Sequence, residues 1–328
     1  MTSKLFKYRS LVLILTVFNL NAASIAANPT TADREEEHFR TINKIDAVIL
    51  GVVEGITEYL PISSTGHLIL TSHAMGLSEY SQAEGDQSKT LHKAPALDAY
   101  EIVIQLGAII AVLGIYRRRV KQMIRGVLGK DREGLHLTIC LGIAFIPAAV
   151  VGLLFRSHIK AYLFRPIPVA VALALGGLLM LIAQHLYSRK SATSPRITNV
   201  ASITYKGALL VGLFQCLALW PGTSRSMVTI VGALAAGLSM VAAAEFSFLL
   251  ALPTLGAATL YEGFGQWREL THGTGLVTLI IGTLVSLVVA FLAVEWLVKW
   301  LTDHGLSPFG YYRLALAAAV IGYFLFFS

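Results

Sequence analysis

The chain has 328 residues, of which 55% are hydrophobic and only 14% charged, with a net charge of +7 and a mean hydropathy of +0.67. Soluble chains carry about 25% charged residues, and a chain this long folding in water would need polar side chains to cover its core. An ordinary soluble domain is therefore excluded. So is a nucleic-acid binder, because the basic residues sit between apolar segments and not along one face with interleaved aromatics. In a membrane protein, cations placed that way set orientation and meet anionic headgroups.

Residues 1–27 read as a secretory leader. Lys4, Lys7 and Arg9 form a basic start, Leu11 to Leu20 an apolar stretch, and Ser24-Ile25-Ala26 a small-residue cleavage site. The competing reading is an uncleaved first membrane helix. Residues 28–43 are polar and form an extracytoplasmic segment, leaving 44–328 as a single membrane domain.

Six segments in that domain are long enough to cross a bilayer: 98–116, 134–155, 166–187, 240–261, 275–301 and 309–327. The loop from Arg117 to Arg132 is the most basic in the chain, and the loop 188–196 is basic two spans later. Lys299 and Arg313 flank the last short loop. By the positive-inside rule all three lie in the cytoplasm, which puts both chain ends outside. Cys140 and Cys216 lie in apolar runs and read as packing residues, making neither a disulfide framework nor a metal site.

Two stretches break the span pattern, 44–77 and 204–239. Each is a pair of short apolar helical halves, broken at Pro61 or Pro221 by a turn rich in Ser, Thr and Gly. Halves this short cannot span, so each pair is expected to be a re-entrant hairpin. The turns PISSTGH and PGTSRSM are alike, and three spans separate the hairpins, so the second enters from the opposite face. The expected fold is all-α and polytopic, six transmembrane helices plus two re-entrant hairpins in an inverted-topology repeat. The first repeat covers about 44–190 and the second about 200–328.

The first hairpin carries Glu54 and Glu58 at i and i+4, on one helical face. Carboxylates in an apolar segment need a partner, a proton or a cation. Ser63, Ser64, Thr65, Gly66 and His67 follow, at least one of the hydroxyls serving as a helix cap. The second hairpin carries Ser224, Arg225, Ser226 and Thr229. An arginine between apolar stretches calls for a carboxylate or a phosphate. Both turns lead into helix N-termini, which favour anions. Two anion-binding helix starts, an arginine, hydroxyls, a histidine and two carboxylates suit phosphoryl chemistry, the carboxylates holding a divalent cation or acting as general base. Glu101, Gln105, Glu245 and Glu295 are weaker candidates, and His73, Pro147 and Pro253 read as packing or kink residues. The small-residue spacing from Gly51 to Gly55 reads as close helix packing.

At these residues the chain resembles a known family. EGITEYLPISSTGHLIL (54–70) and PGTSRSMVT (221–229) look like the motifs of the undecaprenyl-diphosphatase, or bacitracin-resistance, family, and the match covers 44–328. The resemblance implies removal of one phosphate from undecaprenyl diphosphate, recycling the lipid carrier for peptidoglycan synthesis. It implies a site in the bacterial inner membrane that faces the periplasm and uses a divalent cation, Mg²⁺ or Ca²⁺. Position by position, the acidic pair corresponds to Glu54 and Glu58, the serine to Ser64, the histidine to His67 and the arginine to Arg225. Ser224, Ser226 and Thr229 match the hydroxyls beside that arginine. Ser63 and Thr65 would join them in binding the substrate, and Glu54 and Glu58 would hold the metal. Two departures stand out: the family usually has glycine where this chain has Met227, and it commonly begins near Lys44. Ser64 with His67 as base, or His67 itself, is the expected nucleophile. The expected partners are a polyprenyl diphosphate and membrane lipids, with no nucleic acid; homo-oligomerisation stays open. The competing function is a polyprenyl-phosphate transporter, because inverted repeats with broken helices are characteristic of carriers.

Overall fold

The computed structural model describes residues 41–82, 89–93, 95–163, 166–191, 195–265 and 274–326. The expected leader, 1–27, and most of the polar segment 28–43 lie outside the described residues.

The first broken hairpin is helix α1 (Lys44–Thr57), a turn, and helix α2 (Ser64–Ala74). Asn43 starts α1 through a capping box, its side chain accepting from Asp46 N while Asp46 accepts from Asn43 N. An antiparallel pair follows, β1 (Ser78–Gln82) and β2 (Lys89–Lys93), in the register Ser78↔Lys93 to Gln82↔Lys89. This short pair is an addition to a fold that is otherwise helical, as expected. The segment is polar and lacks a 3.6-residue apolar repeat. Ser78 docks it on α2, bonding to the Ser72 hydroxyl and accepting from His73 Nδ1.

Helix α3 (Pro95–Ile115) leads into α4 (Arg117–Val127), α5 (Arg132–Leu163) and α6 (Pro166–Ser191). The basic stretch expected as a loop is thus itself a helix, because Val120, Met123, Ile124 and Val127 recur at helical spacing. The second broken hairpin is α7 (Tyr205–Cys216), a single 3₁₀ turn (Leu217–Leu219) and α8 (Arg225–Ala235). Helices α9 (Met240–Gly265), α10 (Leu276–His304) and α11 (Ser307–Phe326) complete the chain. Pro147 and Pro253 lie inside α5 and α9.

Among the described residues five helices are long and apolar enough to cross a membrane, in α3, α5, α6, α9 and α10. The protein is a helical, polytopic membrane protein. The sixth expected span falls on α11, which is 20 residues long. Outward faces carry exposed apolar side chains such as Leu153, Leu154, Ile182, Leu284 and Leu292, an arrangement that suits lipid and would fail in water.

The pairing of helices is what positions the site. α1 packs on α10, α7 on α5, α3 on both α9 and α10, α9 also on α5, and α11 on α6. Small residues permit these approaches. A Cβ on Gly51 would lie 2.6 Å from Gly282 O, and one on Gly55 2.8 Å from Ser286 O, both on α10. On the other side, a Cβ on Gly212 of α7 would lie 2.7 Å from Ala144 O of α5. Helix α8 is buried along nearly its whole length, from Ser226 to Leu234.

Candidate active site

The two turns are built the same way. Ser63 and Ser224 are the only non-glycine residues with positive φ among the described residues, at 78° and 73°. Each caps the helix that follows, Ser63 Oγ accepting from Gly66 N and Ser224 Oγ from Met227 N, both at 3.3 Å. Such backbone costs on the order of 1–3 kcal/mol. The helices these serines cap begin with Ser64 and Arg225.

Both converge on one carboxylate. Ser64 Oγ donates to Glu58 Oε2 at 2.6 Å, and Arg225 Nη2 donates to Glu58 Oε1 at 2.8 Å. The Arg225–Glu58 pair is nearly sealed, with side-chain exposures of 9% and 5%. Burial at this level makes the geometry matter, since each charge has left water. Arg225 Nη1 donates to Ser247 O, its guanidinium lies 5.4 Å over the Tyr59 ring, and its Nε is buried without a partner among the described residues. Thr229 braces the same corner, donating to Arg225 O at 2.8 Å and pairing with the Ser247 hydroxyl at 2.6 Å.

Glu54 lies one turn before Glu58 and is fully buried. Neither of its oxygens has a hydrogen-bond partner among the described residues. Its charged neighbours are Glu58, Glu101 and Arg225. A buried carboxylate with no hydrogen-bond partner needs a proton or a cation.

His67 faces elsewhere. Its Nδ1 donates to Ser63 O at 2.7 Å, which leaves Nε2 of the neutral ring to accept from Tyr312 Oη, also at 2.7 Å. The two rings are near parallel, with centroids 5.8 Å apart. Ser64 and His67 are not hydrogen-bonded to each other; the Ser64 hydroxyl has Glu58 as its acceptor. Ser226 bridges the turns, donating to Leu60 O at 2.9 Å and pairing with Ser224 Oγ at 3.0 Å. Thr65 is half-buried beside them.

Arg313 does not flank a loop, as its position in the sequence suggested. It is fully buried on α11 and donates to Pro61 O of the first turn and Gly222 O of the second, as well as to Ala172 O and Leu173 O of α6. One guanidinium therefore fastens both turns to the same helix. The rule that singled out Arg225, a guanidinium inside an apolar stretch, applies equally to Arg313. Tyr59, Ser247 and Tyr312 carried no comparable sequence signal. Glu245 pairs with Arg119 at 2.8 Å, away from the cluster, and Glu295 is exposed. Cys140 and Cys216 are free thiols, Cys140 buried and Cys216 half-buried.

A buried arginine, a hydroxyl on a carboxylate and a second carboxylate whose oxygens lack partners among the described residues, beside two helix starts, suit phosphoryl transfer inside a membrane protein. Comparison with known sequences agrees. The profile of the family described as Bacitracin resistance protein BacA matches residues 47–319, and the chain belongs to that family. It is similar to proteins named undecaprenyl-diphosphatase. The one from Sorangium cellulosum is 48% identical over 84% of this chain and 85% of its own length. Undecaprenyl-diphosphatase 1 of Chromobacterium violaceum is 45% identical, and the undecaprenyl-diphosphatase of Neisseria gonorrhoeae 41%, each over 84% of this chain and 94% of the relative.

Proposed function

We propose that this chain hydrolyses undecaprenyl diphosphate to undecaprenyl phosphate and phosphate, the activity for which its relatives are named, and so recycles the lipid carrier for peptidoglycan synthesis and confers bacitracin resistance. The observation that carries this reading is the meeting of Ser64 and Arg225 on Glu58. It supplies, within one hydrogen-bond radius, a nucleophile, its base and a phosphate receptor.

Arg225 releases Glu58 to grip the terminal phosphate, with its free Nε and the amides at the starts of α2 and α8 adding donors. Ser64 Oγ attacks the terminal phosphorus while Glu58 takes its proton. The bond to the bridging oxygen breaks, undecaprenyl phosphate leaves, and water then releases phosphate from the serine. His67, held by Ser63 O and Tyr312, keeps the first turn in shape and is the competing nucleophile. Glu54, whose two oxygens lack partners, and Glu58 would hold a divalent cation. Hard oxygen ligands suit Mg²⁺ or Ca²⁺, and substrate oxygens commonly complete such a shell. When bound, the cation would neutralise charge on the diphosphate.

The exchange of partners between α1–α10 and α7–α5, and between α3–α10 and α9–α5, supports an inverted repeat with α1–α2 and α7–α8 as re-entrant hairpins. In that arrangement α11 is the sixth span, the membrane is the bacterial inner membrane and the site faces the periplasm. The same repeat favours a transporter as the second reading. Phosphate release from a prenyl diphosphate in detergent decides between them, because transport has no readout without a membrane. Glu58→Ala, His67→Ala and Arg225→Ala are each expected to abolish nearly all release, and a ³²P label on the terminal phosphate should be trapped on Ser64. Label on His67 would exchange their roles, and label on neither would favour direct attack by water.

A further inference from the structure

His67 is bonded at both ring nitrogens. Its Nδ1 meets Ser63 O at 2.7 Å, and a carbonyl can only accept, so Nδ1 carries a proton. In the neutral ring Nε2 is then the acceptor, and the Tyr312 hydroxyl 2.7 Å away donates to it. If Nε2 takes up a proton, the same hydroxyl can turn and accept. The ring can therefore change protonation state with both bonds kept and no heavy atom moved. Tyr312 is held in place by its neighbour: Arg313, the next residue on α11, donates to Pro61 O and Gly222 O and fixes this part of the helix against both turns. Tyr312 itself is 45% exposed, so water reaches its side chain.

The two-step chemistry leaves this pair a task. When Ser64 attacks, Glu58 takes its proton and is spent as a base. That proton is needed again when Ser64 Oγ leaves phosphorus, so the water that frees the phosphate requires a different acceptor. We propose that Tyr312 relays the proton of that water to His67, a reading that rests on the phosphatase assignment. The water oxygen bonds to phosphorus as the bond from phosphorus to Ser64 Oγ breaks, and Oγ takes back the proton held by Glu58. The water's proton passes to Tyr312 Oη while the Tyr312 proton passes to His67 Nε2. It returns to solvent by the same route once phosphate has left. His67 follows Ser64 by three residues on α2, the spacing at which helical side chains are neighbours. A phosphate on Ser64 and a water on Tyr312 therefore share one side of that helix. Each step has its own base, Glu58 for the serine and the His67–Tyr312 pair for water.

Burst kinetics separate the two steps. The purified full chain in detergent is mixed with farnesyl diphosphate, and farnesyl phosphate and inorganic phosphate are followed separately. Tyr312→Phe removes one oxygen from a half-exposed ring. It should lower kcat by about tenfold or more and lower KM with it. The ratio kcat/KM, which reports formation of the phosphoenzyme, should then stay within about twofold. A burst of about one farnesyl phosphate per chain should precede slow turnover, with phosphate trapped on Ser64. His67→Gln should give the same burst. Equal falls in kcat and kcat/KM, with no burst, would mean that Tyr312 only holds the turn in shape, and would overturn the relay. An unchanged kcat does the same, and so does a burst in His67→Gln alone, which would make the ring the direct base. Phosphate trapped on His67 also overturns it. If the unmodified chain forms no farnesyl phosphate, the phosphatase reading falls and the relay with it. If the unmodified chain turns over and neither variant shows a burst, only the relay is lost.

Discussion

Glu58 holds a hydroxyl and a guanidinium at once, so its substitution has two separable effects. Glu58→Gln keeps an oxygen for Ser64 but strands Arg225 as a buried charge, which costs on the order of 3–5 kcal/mol. Thermal unfolding in detergent should show that loss, whereas Glu58→Gln/Arg225→Gln should recover much of the stability and none of the activity. Recovery of activity in the double variant would remove both residues from the chemistry. Arg313 makes a different prediction, because its fork reaches four carbonyls on three segments. Arg313→Lys keeps the charge but cannot span them, and Gly176→Ala pushes the fork aside without removing it. Both should lower kcat by about tenfold or more with Glu58, Ser64 and Arg225 intact, as small misplacements do. At this scale Arg225 was legible, since no apolar stretch carries a guanidinium without reason. Arg313 was not, because proximity to a short loop offered a cheaper account of its charge.

The broken helices are the elements that do the positioning. Proline and a cluster of small polar residues announced both breaks, and the long apolar runs announced the helices on either side. The left-handed backbone of Ser63 and Ser224 could not be read, because a serine cap normally has extended φ. Those two conformations make a test. Ser63→Ala and Ser224→Ala keep the strain and lose the cap, so each should cost about 1–2 kcal/mol in detergent unfolding. Ser63→Gly relieves about 1 kcal/mol of strain while losing the same cap and should come out near neutral. Equal losses for alanine and glycine would mean that the positive φ carries no strain. The β1–β2 pair and helix α4 were illegible for opposite reasons. One is too short and polar to show a period, and the other had its helical spacing masked by a run of arginines.

Across the whole molecule, composition alone placed the chain in a membrane, and no local pattern had to be correct for that. What composition could not supply is the orphaned carboxylate at the centre, Glu54, neither of whose oxygens has a hydrogen-bond partner among the described residues. That carboxylate predicts dependence on a divalent cation: a chelator should abolish phosphate release, and Mg²⁺ or Ca²⁺ should restore it. Glu54→Gln should raise the concentration needed by about tenfold or more, as loss of a charged ligand does. An unchanged requirement would move the cation away from Glu54.

The ion pair between Glu58 and Arg225 also constrains biogenesis. The two residues are 167 positions apart, so a ribosome making this chain delivers both buried acids to the insertion machinery long before their counter-charge exists. At about 5–20 residues per second, that interval is roughly ten to thirty seconds. Over that time the carboxylates of the first half must be met by a proton or a cation instead. The ion pair closes only once α8 has been made, which ties completion of the site in one half to synthesis of the other.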